Sequence, residues 1–174
     1  DIAALSLGDI VASESVRLAG DQLNSDIAEY IKEHHGLIIG EHTAERIKIE
    51  LGTAQKVDDP QTMEVRGRDV ASGMPKQIET NENEIADALH DTLEQIVRAS
   101  VAVLETVPPE LASDIIDRGI MLTGGTAMLH GIDKLFSDRL KVPVVVSQDP
   151  LDNVAKGAGE LLERMQSDSG KNRK

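Results

Sequence analysis

The last third of the sequence alternates apolar strands with helices, and this pattern limits the folds that the chain can adopt. Residues 120–123 form a short apolar run that leads into two glycines, and a helical pattern follows to about residue 140. A second apolar run, residues 142–146, precedes a helical pattern over 151–165. Strands joined by helices pair in parallel, and their sheet is covered on both faces. We therefore expect an α/β fold in which the strand over 142–146 is buried.

The rest of the chain predicts hairpins and helices, marked by turn residues and caps. Asn81, three positions before Glu84, is typical of a capping box at the start of the longest helix. The middle of the chain lacks strand-helix-strand crossovers and predicts a small α+β insertion. The expected elements are a hairpin of residues 2–7 and 10–18, helices capped by Asp21 and Thr43 that end near Gly36 and Leu51, strands over 62–66 and 76–80, a helix from Asn81 to about 105, and a short helix from Pro108 that stops before Gly119.

Aromatic residues are almost absent, because Tyr30 and Phe136 are the only two and the chain has no tryptophan. The core must therefore be aliphatic, and the stacking platforms that bind nucleic-acid bases are missing. The net charge of −13 also argues against a binder of phosphate backbones, which needs clustered lysine and arginine. The chain has no cysteine, which excludes disulfides and thiolate metal sites. We expect no nucleic-acid partner.

The ends of the sequence carry little targeting information. No apolar run approaches the roughly 20 residues that a membrane-spanning helix needs. The chain starts at Asp1, without an initiator methionine and within an apparent strand, so we expect a natural segment upstream of it.

Residues 119–127 are the strongest local candidate for a ligand site. An apolar strand delivers Gly124 and Gly125 to the start of a helical pattern, where the backbone can approach a ligand without interference from a Cβ. An ordinary strand-to-helix turn explains the same glycines equally well.

A second candidate lies on the helix that ends before Gly52. Glu45, Lys48 and Gly52 share one stripe of that helix. A carboxylate and an ammonium one turn apart can hydrogen-bond a ribose or an adenine edge, but a solvated ion pair is the more common interpretation. The neighbouring apolar stripe anchors the helix and consists of Ala44, Ile47 and Leu51.

The histidines predict no metal site and no catalytic group. His34 and His35 are adjacent, so their side chains point in different directions and do not share a metal. No Ser-His-Asp, zinc or phosphate-loop signature is present, and we assign no catalytic and no metal-binding residue.

Six segments match a known family pattern when they are taken together. They are residues 15–21, 39–48, 63–69, 108–115, 118–125 and 149–151. In this order and spacing they resemble the second half of bacterial actin-like MreB proteins, which belong to the superfamily of actin, heat-shock chaperone and sugar-kinase ATPases. The Pro-Pro-Glu-Leu and Leu-Thr-Gly-Gly segments are the most specific parts, and the resemblance covers nearly the whole chain.

The resemblance implies an actin-like ATPase fold of the ribonuclease H-like kind. Subdomain IIA would comprise residues 1–24 and 89–166, and a small α+β subdomain IIB would be inserted over residues 25–88. Residues 167–174 would form a disordered tail.

The resemblance also implies a cytoskeletal function. Members of the family bind ATP or ADP with magnesium, and they polymerise into membrane-associated filaments in the cytoplasm that control rod cell shape and wall synthesis. The implied partners are further copies of the chain and membrane-anchored morphogenesis proteins such as RodZ, with membrane contact through the missing half. An interaction module that docks such a partner, or half of a superfamily kinase or chaperone ATPase, is the alternative.

The resemblance places nucleotide-binding residues in both candidate segments. The family's usual turn has a third glycine, whereas this chain has Thr126 after Gly124 and Gly125. The resemblance implies that a Cβ at this position can crowd the nucleotide or alter its affinity. The family's phosphate loops would lie upstream of Asp1, so we expect this chain alone to be inactive as an ATPase. The implied nucleotide-binding residues are Glu45, Arg46, Ile47 and Lys48 on the helix, and Gly124, Gly125, Thr126, Ala127 and Met128 on the turn.

Overall fold

The computed structural model describes the backbone of residues 1–171 and the side chains of residues 1–164. A one-turn 3₁₀ segment spans Gly125–Met128. The strands are β1 (Ile2–Ser6), β2 (Asp9–Glu14), β3 (Leu37–Ile38), β4 (Thr62–Asp69), β5 (Pro75–Asn81), β6 (Ile120–Leu122) and β7 (Val144–Val146), and the helices are α1 (Gly20–His35), α2 (Glu41–Leu51), α3 (Glu82–Thr106), α4 (Pro109–Arg118), α5 (Ile132–Leu140) and α6 (Asn153–Lys171).

The strands form three small sheets within the described residues. β1 pairs with β2 as an antiparallel hairpin, β3, β4 and β5 form an antiparallel sheet in that order, and β6 pairs with β7 in parallel. The parallel pairing confirms the α/β prediction. The prediction that residues 142–146 form a buried strand is wrong, because Val145 is 52% exposed and its neighbour on β6, Met121, is 67% exposed. Only one face of this pair packs on the rest of the molecule.

The core is aliphatic, as the shortage of aromatic residues predicts. Phe136 is the one aromatic side chain among its buried residues. The core is continuous from α1 and α2 through α3 to α5, so burial of one apolar stripe from each of these helices drives their packing. Its fully buried large side chains include Leu23, Ile27, Ile31, Leu37, Ile47, Ile85, Leu89 and Leu93.

Helices α1 and α3 lie side by side and run in opposite directions. Nε2 of His35, at the end of α1, lies 3.0 Å from Oε2 of Glu84 at the start of α3. Nine residues earlier in α1, Oδ2 of Asp26 accepts a hydrogen bond of 2.6 Å from Oγ1 of Thr92, eight residues further along α3. The end of α1 therefore lies beside the start of α3. The expected subdomain boundaries fall inside helices, 24/25 within α1 and 88/89 within α3. The division into subdomains stays a prediction.

The expected cap is observed at the start of α3, but not at the starts of α1 and α2. Asn81 caps α3, because its Oδ1 accepts hydrogen bonds from the backbone N–H groups of Asn83 and Glu84. The Glu84 carboxylate does not close a capping box; it accepts a bond from Oγ1 of Thr80 instead. Asp21 and Thr43 lie inside their helices, which begin one or two residues earlier and have no side-chain cap. An acidic residue in the first turn favours each helix start through the dipole.

The C-terminal region departs from the expected helices at two places. The helix expected from the glycine pair to residue 140 is interrupted after the 3₁₀ segment, because Leu129 is extended and Gly131 is left-handed. Helix α6 continues to Lys171, past the expected end at 165, since residues 160–169 contain no glycine or proline. The disordered tail expected over 167–174 is therefore helical as far as 171, and residues 172–174 lie outside the described residues.

The turn between β4 and β5 is held by one carboxylate. Oδ2 of Asp69 accepts hydrogen bonds from the backbone N–H of Ser72 (2.8 Å) and from its hydroxyl (2.9 Å), and Oδ1 lies 3.2 Å from Nζ of Lys76. These bonds lower the pKa of the Asp69 carboxyl from 3.8 to about 2, and the hydrogen bond from the Ser72 backbone N–H contributes most. A lowered carboxyl pKa stabilises the fold above the unfolded pKa, and that stabilisation is lost as the pH falls to the folded value.

We expect Asp69→Ala to lower the thermal midpoint at pH 7, because the turn loses its hydrogen-bond acceptor. The difference from the parent protein should shrink between pH 4 and pH 2, where the Asp69 carboxylate of the parent becomes protonated. Circular dichroism melts across this pH range measure the effect. Asp59→Ala removes another exposed carboxylate and is the matched control. A difference that stays constant down to pH 2 would contradict the role of the charge.

Candidate functional site

Helix α2 presents one apolar side to the core and one charged side to solvent. Ala44 and Ile47 are fully buried, and Leu51 is nearly so, which confirms the predicted anchoring stripe. Glu45 and Arg46 are exposed and available to a ligand. The side chain of Ile47 packs in the core, so this member of the implied nucleotide set positions the helix and does not present its side chain to the surface.

Lys48 reaches across from α2 to the start of α1. Its Nζ donates a hydrogen bond of 3.0 Å to the carbonyl oxygen of Gly20. A Cβ at Gly20 would lie 3.3 Å from that Nζ, so the glycine leaves room for the ammonium group. The half-buried ammonium is thus held at a defined place between two helices.

The end of α2 is packed too closely for any side chain at Gly52. A Cβ there would lie 2.1 Å from the carbonyl oxygen of Lys48 and 2.6 Å from Cδ2 of Leu129. Real Cβ atoms do not come this close to other heavy atoms, so only glycine fits. Gly52 therefore lets the helix end approach the chain that follows the 3₁₀ segment.

Backbone hydrogen bonds join the end of α2 to that same stretch of chain. The N–H of His130 donates to the oxygen of Gly52 (3.2 Å), and the N–H of Ala54 donates to the oxygen of His130 (2.8 Å). Thr53 and His130 form an isolated parallel β-bridge, and Thr53 is almost fully buried. The structure therefore ties the end of α2 to residues 129 and 130, which directly follow the turn over 124–128.

The glycine turn offers mainly its backbone. Gly124 has φ +88°, its N–H donates to the oxygen of Pro150 (2.8 Å), and open space surrounds its Cβ position. Gly125 also leaves room, with Cδ2 of Leu151 as its nearest neighbour at 3.6 Å. The side chain of Ala127 is buried, whereas that of Met128 is 60% exposed. Of the implied set on this turn, only Thr126 and Met128 can present side chains to a ligand.

Three polar side chains meet at the carboxyl ends of β6 and β7, and the sequence analysis assigned a role to none of them. Thr123 and Ser147 directly follow these strands, and their hydroxyl oxygens are 3.2 Å apart. Nδ2 of Asn153 donates to both, at 3.1 Å to Thr123 and 2.7 Å to Ser147. In open α/β sheets ligands bind at this edge. The polar residue that follows each predicted parallel strand is therefore the sequence signal that could have identified this cluster. This cluster fixes the position of the turn that begins at Gly124.

The described part of the chain holds neither a candidate metal site nor a helix that could span a membrane. No group of three histidine, aspartate or glutamate side chains there is placed to hold a metal ion. None of the helices described has the length and apolarity that crossing a membrane requires.

Comparison with known proteins identifies the family. The model of the MreB/Mbl protein family matches residues 1–170. The chain belongs to the MreB/Mbl family. The cell shape-determining protein Mbl of Bacillus subtilis is 47% identical over 165 residues, which are 95% of this chain and 50% of Mbl. The cell shape-determining protein MreB of Escherichia coli K12 is 46% identical over 170 residues, 98% of this chain and 49% of that protein. The chain thus spans about half the length of these MreB/Mbl relatives.

Solved structures agree with this assignment. MreB5 of Spiroplasma citri bound to AMPPNP superposes with a TM-score of 0.93 at 34% identity, over 98% of this chain and 51% of MreB5. The structure of the same protein bound to ADP superposes with a TM-score of 0.92. The MamK double helical filament matches with a TM-score of 0.67 at 19% identity, over 83% of this chain and 44% of that one, and shows the fold alone. The predicted family and actin-like fold of this MreB/Mbl chain are confirmed.

Proposed function

We propose that this chain forms one wall of an adenine-nucleotide site in a cytoskeletal protein that determines cell shape. The observation that carries this proposal is the joint between Thr53 and His130, which ties the end of α2 to the residue that follows Leu129, directly after the glycine turn. Support comes from MreB5 of Spiroplasma citri, which shares the family and was solved with AMPPNP and with ADP.

The chemistry of the wall suits a nucleoside phosphate. The exposed Glu45 carboxylate can accept hydrogen bonds from ribose hydroxyls, and the Arg46 guanidinium can stack on a purine ring. The Lys48 ammonium, held by Gly20, has further donors for sugar or phosphate oxygens. At Gly124 the open space at the Cβ position lets the backbone approach the ligand. A bound ATP or ADP would supply the charge and binding energy that change contacts between subunits; these residues would hold it in place.

We expect Glu45→Ala and Lys48→Ala each to weaken ADP binding by roughly 10-fold to 100-fold, since each removes a charge-assisted hydrogen bond worth about 1.5–3 kcal/mol. Isothermal titration calorimetry of the chain with ADP measures this. Glu50→Ala, another exposed carboxylate on α2, is the matched control and should stay within about twofold. Equal losses in all three variants, or no loss in any, would place the nucleotide elsewhere.

We also propose that copies of the chain associate head to tail, as the resemblance implies. Within the described residues β1 pairs only with β2, and β6 only with β7, so each has an open edge that favours association. Several large apolar side chains are exposed on the hairpins. Membrane association, docking of a RodZ-like partner, a role for magnesium, and the absence of ATP hydrolysis by this chain alone stay predictions from the resemblance.

A further inference from the structure

The hydroxyl group of Thr123, the residue between β6 and Gly124, uses all of its hydrogen-bonding positions. Its Oγ1 donates to the carbonyl oxygen of Pro150 (3.2 Å). The same oxygen accepts from Oγ of Ser147 (3.2 Å) and from Nδ2 of Asn153 (3.1 Å). A hydroxyl group has one donor and two acceptor positions, so these three bonds occupy it completely. The side chain of Thr123 is therefore fixed relative to residues 147–153, although it is exposed to solvent.

The side-chain amide of Asn153 holds this network together. Its Nδ2 donates to both hydroxyl groups, at 2.7 Å to Ser147 and 3.1 Å to Thr123, which uses both N–H bonds of the amide. The Ser147 hydroxyl donates in turn to Thr123, so the three side chains form a closed ring in which each proton has one place. Asn153 is half-buried and is the first residue of α6. Its amide thus joins the start of α6 to the start of the glycine turn.

The carbonyl oxygen of Pro150 holds the same turn through two consecutive residues. It accepts from Oγ1 of Thr123 (3.2 Å) and from the N–H of Gly124 (2.8 Å). Gly124 has φ +88° and ψ 171°, a backbone conformation that favours glycine. The positions of Pro150 and Asn153 therefore determine the direction in which residues 125–128 leave the sheet.

The backbone that carries Asn153 is itself anchored. The carbonyl oxygen of Asp149 accepts from the N–H of Asn153 (3.2 Å), and Oδ2 of Asp149 lies 2.6 Å from Nζ of Lys156. The N–H of Ser147 donates to the oxygen of Leu122 (2.9 Å), which extends the pairing of β6 and β7. Asn153 therefore reaches the turn from a fixed base, and its side chain can transmit that order to Thr123.

We propose that Asn153 is a positioning residue for adenine nucleotides. Its amide holds Thr123 and Ser147 together and so keeps the glycine turn in the conformation that receives the nucleotide. Asn153 acts through Thr123 and needs no contact with the ligand. A turn that is ordered before binding loses less conformational entropy when the ligand arrives, and its affinity is higher for that reason. This inference rests on the proposed nucleotide site and names the residue that prepares one half of it.

The test measures ADP binding by isothermal titration calorimetry for variants of the full chain. Asn153→Ala and Thr123→Val should each bind ADP about threefold to tenfold more weakly than the parent chain, the range expected for the loss of neutral hydrogen bonds. Thr123→Ser keeps the hydroxyl group and should regain the affinity that Thr123→Val loses. Asp152→Ala changes the exposed neighbour of Asn153 and is the matched control, with an expected change within about twofold.

Two further measurements separate positioning of the turn from a general loss of structure. The double variant Thr123→Val/Asn153→Ala should bind ADP about as weakly as the weaker single variant, because both changes remove the same contact. Hydrogen exchange at the Gly124 amide should be at least about threefold faster in Asn153→Ala. The amides of Leu89 and Leu93, in the core of α3, should keep the exchange rates of the parent chain, since only the turn is released.

The outcomes distinguish this inference from the proposed function. A parent chain that does not bind ADP contradicts the proposed nucleotide site itself. A parent chain that binds ADP no more tightly than Asn153→Ala overturns the inference. Losses of affinity that add up in the double variant also overturn it, as does faster exchange throughout α3. If Asn153→Ala does not fold, the Thr123 pair decides, and equal ADP affinity of Thr123→Val and Thr123→Ser overturns the inference.

Discussion

Gly52→Ala is expected to destabilise the fold by about 1–3 kcal/mol, the usual cost of overpacking, and to abolish ADP binding at concentrations that saturate the parent chain. The added Cβ would lie 2.1 Å from the oxygen of Lys48 and 2.6 Å from Cδ2 of Leu129. Either the last turn of α2 unwinds or Leu129 leaves the core. Both changes break the bond from the His130 N–H to the Gly52 oxygen, and the two halves of the proposed wall then separate.

Urea denaturation measures the stability change, and hydrogen exchange at the amides of Ala54 and His130 reports the joint directly. Gly40→Ala is the matched control. Gly40 precedes α2 with a negative φ and has no atom within 4 Å of its Cβ position, so this variant should change stability by no more than about 1 kcal/mol. Equal exchange rates in the two variants would mean that the joint does not depend on Gly52.

Gly119→Ala is expected to have an even larger effect on stability, a loss of about 2–5 kcal/mol from left-handed strain and overpacking together. Gly119 has φ +78°, and its Cβ would lie 2.3 Å from the oxygen of Pro143. The same oxygen accepts a bond from the Ile120 N–H (2.8 Å), which starts the parallel pairing of β6 and β7. Moving Pro143 away therefore loosens the strand pair that delivers Gly124.

Gly131→Ala isolates the strain from the clash. Gly131 has φ +71° but no atom within 4 Å of its Cβ position, so alanine there should cost only about 1–2 kcal/mol. Thermal or urea denaturation of both variants provides the comparison. Equal losses of stability at the two positions would show that Pro143 moves away from the added Cβ without a measurable cost.

The local elements of this chain follow from the sequence because their signals are local. Asn81 marks the start of α3, the proline pair starts α4, and Gly36 and Gly52 end their helices. The apolar stripe of α2 also gave the buried side of that helix correctly. These features depend on residues within one or two turns of each other.

The features that the sequence did not predict depend on distant contacts. The break before α5 arises where Leu129 enters the core and His130 bridges to Thr53, 77 residues away in sequence. No local pattern at 125–140 encodes that partner. The exposure of Val145 likewise depends on what covers the sheet, which the apolar run does not reveal. The resemblance placed Ile47 among nucleotide-binding residues, whereas the apolar stripe of α2 predicts that its side chain is buried, and the structure confirms the stripe.

The most direct test of the account is to map ADP on this chain by the changes in backbone amide NMR shifts during titration. We expect the largest changes in two separate segments, residues 45–48 on α2 and 124–128 on the glycine turn, and both should saturate with one dissociation constant. Shifts confined to one segment, or centred on residues outside both, would contradict the proposal that these segments form one nucleotide-binding wall.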